Sequence, residues 1–223
     1  MIINPYRFSA AGGGIPTDYR AAYLFDSTGS TAVDEAGNYD GAIVGATQAS
    51  GILTLDGAGD YVTIGNAIDD TMGSGFSISA WIKTAADGQI VSNYQGAGSF
   101  GGFNFHVTGS KLRLILGTDN FAAYIGELST ATVDDDAWHH VCGTWDGTEG
   151  DSAGIELYID GSPAASSAVT NGTYTWGSST VDMRIGARGD VTQLFNGDMD
   201  SVRIYDRELT ASEVGTLNAE GHD

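Results

Sequence analysis

Phe76-Ser77-Ile78-Ser79-Ala80-Trp81-Ile82-Lys83 sets Phe76, Ile78, Ala80 and Ile82 at every second position. An extended chain turns successive side chains to opposite sides, so these four share one face, as in a strand packed on a core. Lys111-Leu112-Arg113-Leu114-Ile115-Leu116 repeats the alternation, and so does Ile155-Glu156-Leu157-Tyr158-Ile159 before the turn pair Asp160-Gly161. Further strands are expected over residues 22–25, 52–55, 61–64, 89–94, 103–107, 139–145, 181–185 and 201–205. Asp56-Gly57, Asp87-Gly88, Asp146-Gly147, Asn171-Gly172 and Asn196-Gly197 punctuate them as tight turns. That many short strands exceeds a minimal immunoglobulin sandwich, so the expected fold is all-β: a larger antiparallel two-sheet jelly-roll sandwich.

The end of the chain reads differently. Thr210-Ala211-Ser212-Glu213 is a capping box, with Leu209 and Val214 at the positions of a hydrophobic staple, and it predicts one short C-terminal helix from Ala211 to about Asn218. The beginning differs too. Gly12, Gly13 and Gly14 form a flexible joint, and Pro5 and Pro16 disfavour regular structure beside it. Residues 1–20 are therefore read as an anchoring arm and 21–223 as the jelly-roll domain. Ile2, Ile3, Tyr6 and Phe8 are the arm's apolar anchors, suited to a neighbour's sheet edge or groove.

The chain has 29 Asp and Glu against nine Lys and Arg, a formal charge of −20 and a pI near 4.1. A phosphate backbone needs a basic stripe, so free nucleic acid is excluded as a partner. The single Cys142 rules out an intrachain disulfide and, in its apolar run, reads as a buried inert thiol. No apolar run approaches the length of a membrane span, and the start lacks the pattern of a signal peptide, so neither insertion nor secretion by a cleaved signal is expected.

Seven segments carry a family resemblance. They are Ala21–Asp26, Leu55–Ile64, Phe76–Lys83, Ala137–Gly147, Ile155–Gly161, Arg184–Arg188 and Phe195–Val214. Read in order, they resemble the laminin-G-like, concanavalin A-like superfamily over nearly all of residues 21–220. The resemblance implies two antiparallel sheets in a jelly roll, a fold shared by lectins, adhesion proteins and some glycosidases. The opening MIINPYRF and its glycines look like the start of virion structural proteins of tailed phages.

A fold alone does not supply a function, so each candidate site stands on its own residues. Glycoside hydrolysis needs two carboxylates flanking the bond. Asp198-Met199-Asp200 is the nearest arrangement, but Arg203 stands where the Glu-x-Asp-x-x-Glu pattern of the related glycosidases has its last glutamate. Asp134-Asp135-Asp136 reads as a solvated turn, and His139 and His140, adjacent on a strand, face opposite ways and cannot share a metal ion.

Calcium is the one cofactor to expect. Related domains often carry it, and Asp26, Asp198 and Asp200 would offer oxygens at a sandwich edge, with Asp60 and Asp190 behind them. Against this, Phe100-Gly101-Gly102 stands where pentraxin-like members have an acidic pair. Sugar recognition needs aromatic platforms beside amide or guanidinium donors. Tyr94, Asn104 and Arg188 are the candidates, with Phe100, Phe121 and Tyr124 at the same rim; the plainer reading is that such rings fill the core or an oligomer interface.

The sequence thus points to a non-catalytic virion-associated structural or adhesion protein, in phage head decoration, fibre or tail. It would be assembled in the host cytoplasm, bound to other virion proteins through residues 1–20, homo-oligomeric, and able to display its jelly roll to cell-surface polysaccharide. The alternatives are a free-standing calcium-dependent lectin and, third, a glycoside hydrolase.

Overall fold

The computed structural model of the chain describes residues 14–94, 101–118, 122–177 and 179–222. The strands are β1 (Ala21–Tyr23), β2 (Thr31–Ala32), β3 (Gly41–Val44), β4 (Thr47–Ala49), β5 (Ile52–Asp56) and β6 (Tyr61–Gly65). A 3-10 segment, Ala67–Ser74, leads to β7 (Phe76–Thr84), β8 (Gly88–Ser92), β9 (Gly102–Thr108), β10 (Lys111–Gly117), β11 (Tyr124–Thr132) and β12 (Trp138–Trp145). β13 (Ile155–Ile159), β14 (Ser162–Pro163), β15 (Ser166–Ala168), β16 (Met183–Ile185), β17 (Asn196–Tyr205) and the helix α1 (Ala211–Glu220) complete the described fold.

These strands form two antiparallel sheets. One runs β14-β13-β12-β7-β17-β5-β4, with β1 added along β17; the other runs β15-β11-β10-β9-β8-β16-β6-β3-β2. The expected all-β sandwich with one short terminal helix is what the chain forms. Phe76, Ile78, Ala80 and Ile82 are all fully buried between the sheets, as the period-two pattern requires. There they meet Phe103, Phe105, Leu112 and Leu114 from the second sheet. The ring of Phe76 sits 5.0 Å from that of Phe103 and 5.8 Å from that of Trp145, which links the two sheets through aromatic contacts.

A second, smaller apolar cluster lies on the outer face of the first sheet. Cys142, Tyr158 and Tyr205 meet Leu209, Val214 and Leu217, so α1 lies across that sheet and covers it. The helix begins at the expected capping box: Thr210 accepts from the Glu213 amide while Glu213 accepts from the Thr210 amide. Arg207 then binds Glu213 and Asp18 together, at 2.7 Å to each. The buried Cys142 thiol sits in this cluster, its ionisation pushed far up by burial.

The last part of the stretch read as an arm rests on the domain. Ile15 and Tyr19 pack on the second cluster, and the Arg20 amide donates to the Ile204 carbonyl at 2.7 Å. Ile2, Ile3, Tyr6 and Phe8 lie outside the described residues. β11 is a strand that the alternation pattern does not announce. Its inward residues are Ile125, Glu127 and Ser129, as their register against β10 shows, so polar side chains occupy the face where an alternating apolar pattern would be sought. Glu127 accepts hydrogen bonds from Ser152 and Ser166, which is how a carboxylate is accommodated there.

Candidate functional site

β8, β9 and β10 are neighbours in the second sheet, and their register aligns side chains that are far apart in sequence. Arg113 lies across from His106, and His106 across from Gln89. A parallel row joins Ile115, Asn104, Ser92 and Arg184. The residues between them, Phe103, Phe105, Val107, Leu112 and Leu114, fill the core, so both rows face outward.

The segment after β16 folds back onto this face. Gly189 donates to the Tyr94 carbonyl at 2.8 Å, and the side-chain amide of Gln89 donates to Gln193 at 2.7 Å. Arg184 donates to the carbonyl of Gly189 and its guanidinium lies 5.5 Å from the ring centre of Tyr61. Arg188 grips Asp190 at 2.9 and 2.6 Å, which holds the Asp190 carboxyl below its ordinary range and raises the guanidinium.

The three residues selected from sequence for sugar recognition thus come to one face. The Ser92 hydroxyl donates to Asn104 at 2.7 Å and accepts from the Tyr94 amide at 3.1 Å, and Gly189 ties the Arg188 loop to Tyr94. Their roles differ from the expected ones. Tyr94 and Asn104 are each only 6% exposed, so they brace the face more than they present it, while the Arg188 side chain stays partly open. Phe100 and Phe121 fall outside the described residues.

Sequence reading passed over His106, Gln89, Arg113 and Arg184. His106 is 4% exposed and its Nδ1 has no hydrogen-bond partner; the same holds for Gln89 Oε1, Arg113 Nε and Arg184 Nε, all buried. Burial pushes His106 down to about 3, with Arg113 adding to the effect, so its imidazole is neutral at ordinary pH. Burial also lowers Arg113, whose guanidinium stays charged all the same. One signal was present: Phe103-Asn104-Phe105-His106-Val107 alternates bulky apolar and hydrogen-bonding residues, the mark of a strand whose second face does something polar.

The candidate calcium ligands are dispersed in role. Asp26 is exposed after β1, Asp198 accepts from Thr54 at 2.8 Å, and Asp200 is fully buried with Ser201 bonded to it at 3.1 Å. Asp60 accepts from the Asp56 amide and Asp190 is taken by Arg188. Among the described residues no three His, Cys, Asp or Glu side chains gather as a metal site.

The two histidines diverge as their adjacency demands: His139 contacts Asp160 and Asp135 at 3.0 and 3.2 Å, while buried His140 bonds Ser79 at 2.8 Å. Asp135 also accepts from the Ala137 amide, as a turn residue does. A separate cleft of about 270 Å³ opens beside Glu127, Ser152 and Ser166 at the sandwich edge.

Known proteins share this architecture. The chain superposes on the sialidase of Trypanosoma rangeli, solved with 2,3-difluorosialic acid, with a TM-score of 0.69 at 18% identity, over 93% of this chain and 34% of that one. It superposes on domain 4 of AbnA, a GH43 extracellular arabinanase from Geobacillus stearothermophilus solved with arabinotriose, with a TM-score of 0.68 at 19% identity, over 90% and 98%. In sequence, 150 residues are 28% identical to the Adhesion G-protein coupled receptor V1 of Danio rerio, spanning 64% of this chain and 2% of the receptor. The chain therefore corresponds to a small part of that receptor and about a third of the sialidase. Residues 56–215 match Laminin_G_3, and the chain belongs to this family of the concanavalin A-like lectin/glucanases superfamily.

Proposed function

We propose that the protein is a non-catalytic glycan-binding adhesion module, held on a larger assembly by the segment ahead of Ile15. The observation that carries this is the outer face of the second sheet, where aligned polar rows keep buried hydrogen-bonding atoms unpaired. Such atoms are costly to bury without partners, and a polyhydroxylated ligand supplies both donors and acceptors. The likeness to an arabinanase domain solved with arabinotriose supports the same reading, because this chain spans nearly all of that domain.

The absence of catalysis is part of the proposal. Asp200 is closed off from solvent, Asp198 is bonded to Thr54, and Arg203 forms a buried ion pair with Glu220. None of these is arranged as an acid and nucleophile flanking a bound sugar. The assembly that the opening residues suggest is a tailed-phage virion, in which the module would sit as an accessory protein on other structural proteins, as an oligomer.

Glycan-array binding by the purified chain tests the reading. Binding to polysaccharide without release of new reducing ends is the expected result; steady hydrolysis of a bound glycan, or no binding across the array, overturns it.

A further inference from the structure

Between β14 and β15 the chain crosses from the first sheet to the second, and beside this crossover the sandwich edge opens as the cleft of about 270 Å³. Buried residues floor it: Glu127 from β11, Ile155 and Leu157 from β13, and Ser152 just ahead of β13. Exposed Ala153, Pro163 and Ser166 form its rim. Sites for drug-sized molecules span about 300–1,000 Å³, so this cleft is sized for something smaller, such as one side chain.

Its polar groups are all of one kind. Ser152 donates to one oxygen of Glu127 at 2.8 Å and Ser166 donates to the other at 2.7 Å. A hydroxyl has one proton to give, so these three side chains keep lone pairs and no donor for a further partner. Glu156 also borders the cleft, but its carboxylate turns to the Tyr158 hydroxyl on the outer face of the first sheet. Glu127 therefore supplies the charge. It is 8% exposed, and among the described residues no Lys, Arg or His lies within ion-pair distance of it. Asp34, Asp60 and Asp69 are buried too, but backbone amides donate to each of them. Glu127 has only the two neutral hydroxyls among the described residues, and of these four carboxylates it alone lines the cleft.

A partner must therefore bring donors and positive charge. A calcium ion wants a shell of about six or more oxygens, whereas five of the nine lining residues are apolar. A guanidinium fork takes both oxygens of a carboxylate, and each Glu127 oxygen already holds a serine proton. An ammonium is a compact charge with three donors, and the aliphatic stem that carries it in lysine packs along apolar walls. The chain itself is a poor source, with only Lys83 and Lys111 and a formal charge of −20 that repels a second copy.

We propose that the Glu127 cleft seats a lysine side chain presented by a different protein, its ammonium meeting Glu127, Ser152 and Ser166 and its stem lying along Ile155 and Leu157. The seat is independent of the glycan reading, whose polar rows lie on the outer face of the second sheet.

The test is amide NMR of the whole chain at neutral pH and physiological salt, titrated with the blocked amino acids acetyl-lysine methylamide, acetyl-norleucine methylamide and acetyl-arginine methylamide, and separately with calcium chloride. The norleucine compound keeps the stem and removes the ammonium. The expected result is saturable shifts at the amides of Glu127, Ser152 and Ser166, with the lysine compound bound about tenfold or more tighter than the norleucine compound and tighter than the arginine one. Glu127→Gln should abolish that preference, while Glu35→Gln, an equal change of charge at an exposed site beyond β2, leaves it intact. Lysine and norleucine compounds bound equally, or arginine bound as tightly as lysine, overturn the seat. So does the absence of saturable shifts at these three amides, and so do shifts there that calcium produces and the lysine compound does not. The comparison of the three compounds needs no variant, so it decides the matter even if Glu127→Gln does not fold.

Discussion

The phenolic hydroxyl of Tyr205, the last residue of β17, donates to the carbonyl of Pro16 at 3.1 Å and ties the two ends of the described chain together. Ile15 and Tyr19 pack on the same cluster, and Asp18 meets Arg207. Two truncations should therefore behave differently. Removing residues 1–14 leaves the melting temperature essentially unchanged, whereas removing 1–20 lowers it by roughly 5–10 °C through lost burial and hydrogen bonds. Differential scanning calorimetry on both distinguishes them, and equal melting temperatures would show that residues 15–20 contribute nothing to stability. On the proposed anchoring role of the segment ahead of Ile15, the shorter truncation should also lose association with the larger assembly proposed to hold the module.

The capping box makes a sharper local prediction. Thr210→Ala removes the acceptor for the Glu213 amide and should cost about 1 kcal/mol in urea unfolding, with Thr210→Ser restoring most of it. A loss confined to the Ser variant would contradict the role assigned to the hydroxyl.

Gly143 marks where β12 approaches the opposite sheet closely. A Cβ there would lie 3.0 Å from the Phe105 ring and 3.1 Å from Leu114, so Gly143→Val forces the two layers apart. The expected loss is about 1–3 kcal/mol by overpacking, read from chemical denaturation.

Acid should unfold the protein in a defined window. His106 and His140 are both pushed down to about 3 by burial, whereas each takes up a proton near its ordinary value of about 6.5 once unfolded. Protons therefore favour the unfolded chain as pH falls below about 6.5, each histidine contributing a slope approaching ~1.4 kcal/mol per pH unit. Asp69, raised to about 6 mainly by its burial, acts in the opposite sense and offsets one histidine between about pH 6 and 4. Stability should thus be level above neutrality and decline below it, and His140→Gln should flatten the decline if the variant folds. Melting temperatures across pH 4–8 read this directly; a curve rising toward acid would refute it.

Local rules in the sequence determined the elements. Alternation alone placed Phe76–Lys83 as a core strand, and the Thr210–Glu213 spacing placed the helix start, because each depends on neighbours within a few residues. Tyr94, Asn104 and Arg188 were selected together from their aromatic and hydrogen-bonding groups, but the hydrogen bonds that tie them to one face were not legible. The Arg113–His106–Gln89 row was not legible, since it exists only through the register of three strands, and one residue of slip in any pairing would turn its side chain into the core. β11 escaped notice for a related reason: Glu127 can face inward only because Ser152 and Ser166, distant in sequence, come to meet it. Periodicity therefore decides which face of a strand is buried, while only the folded pairing decides which side chains stand together on the other.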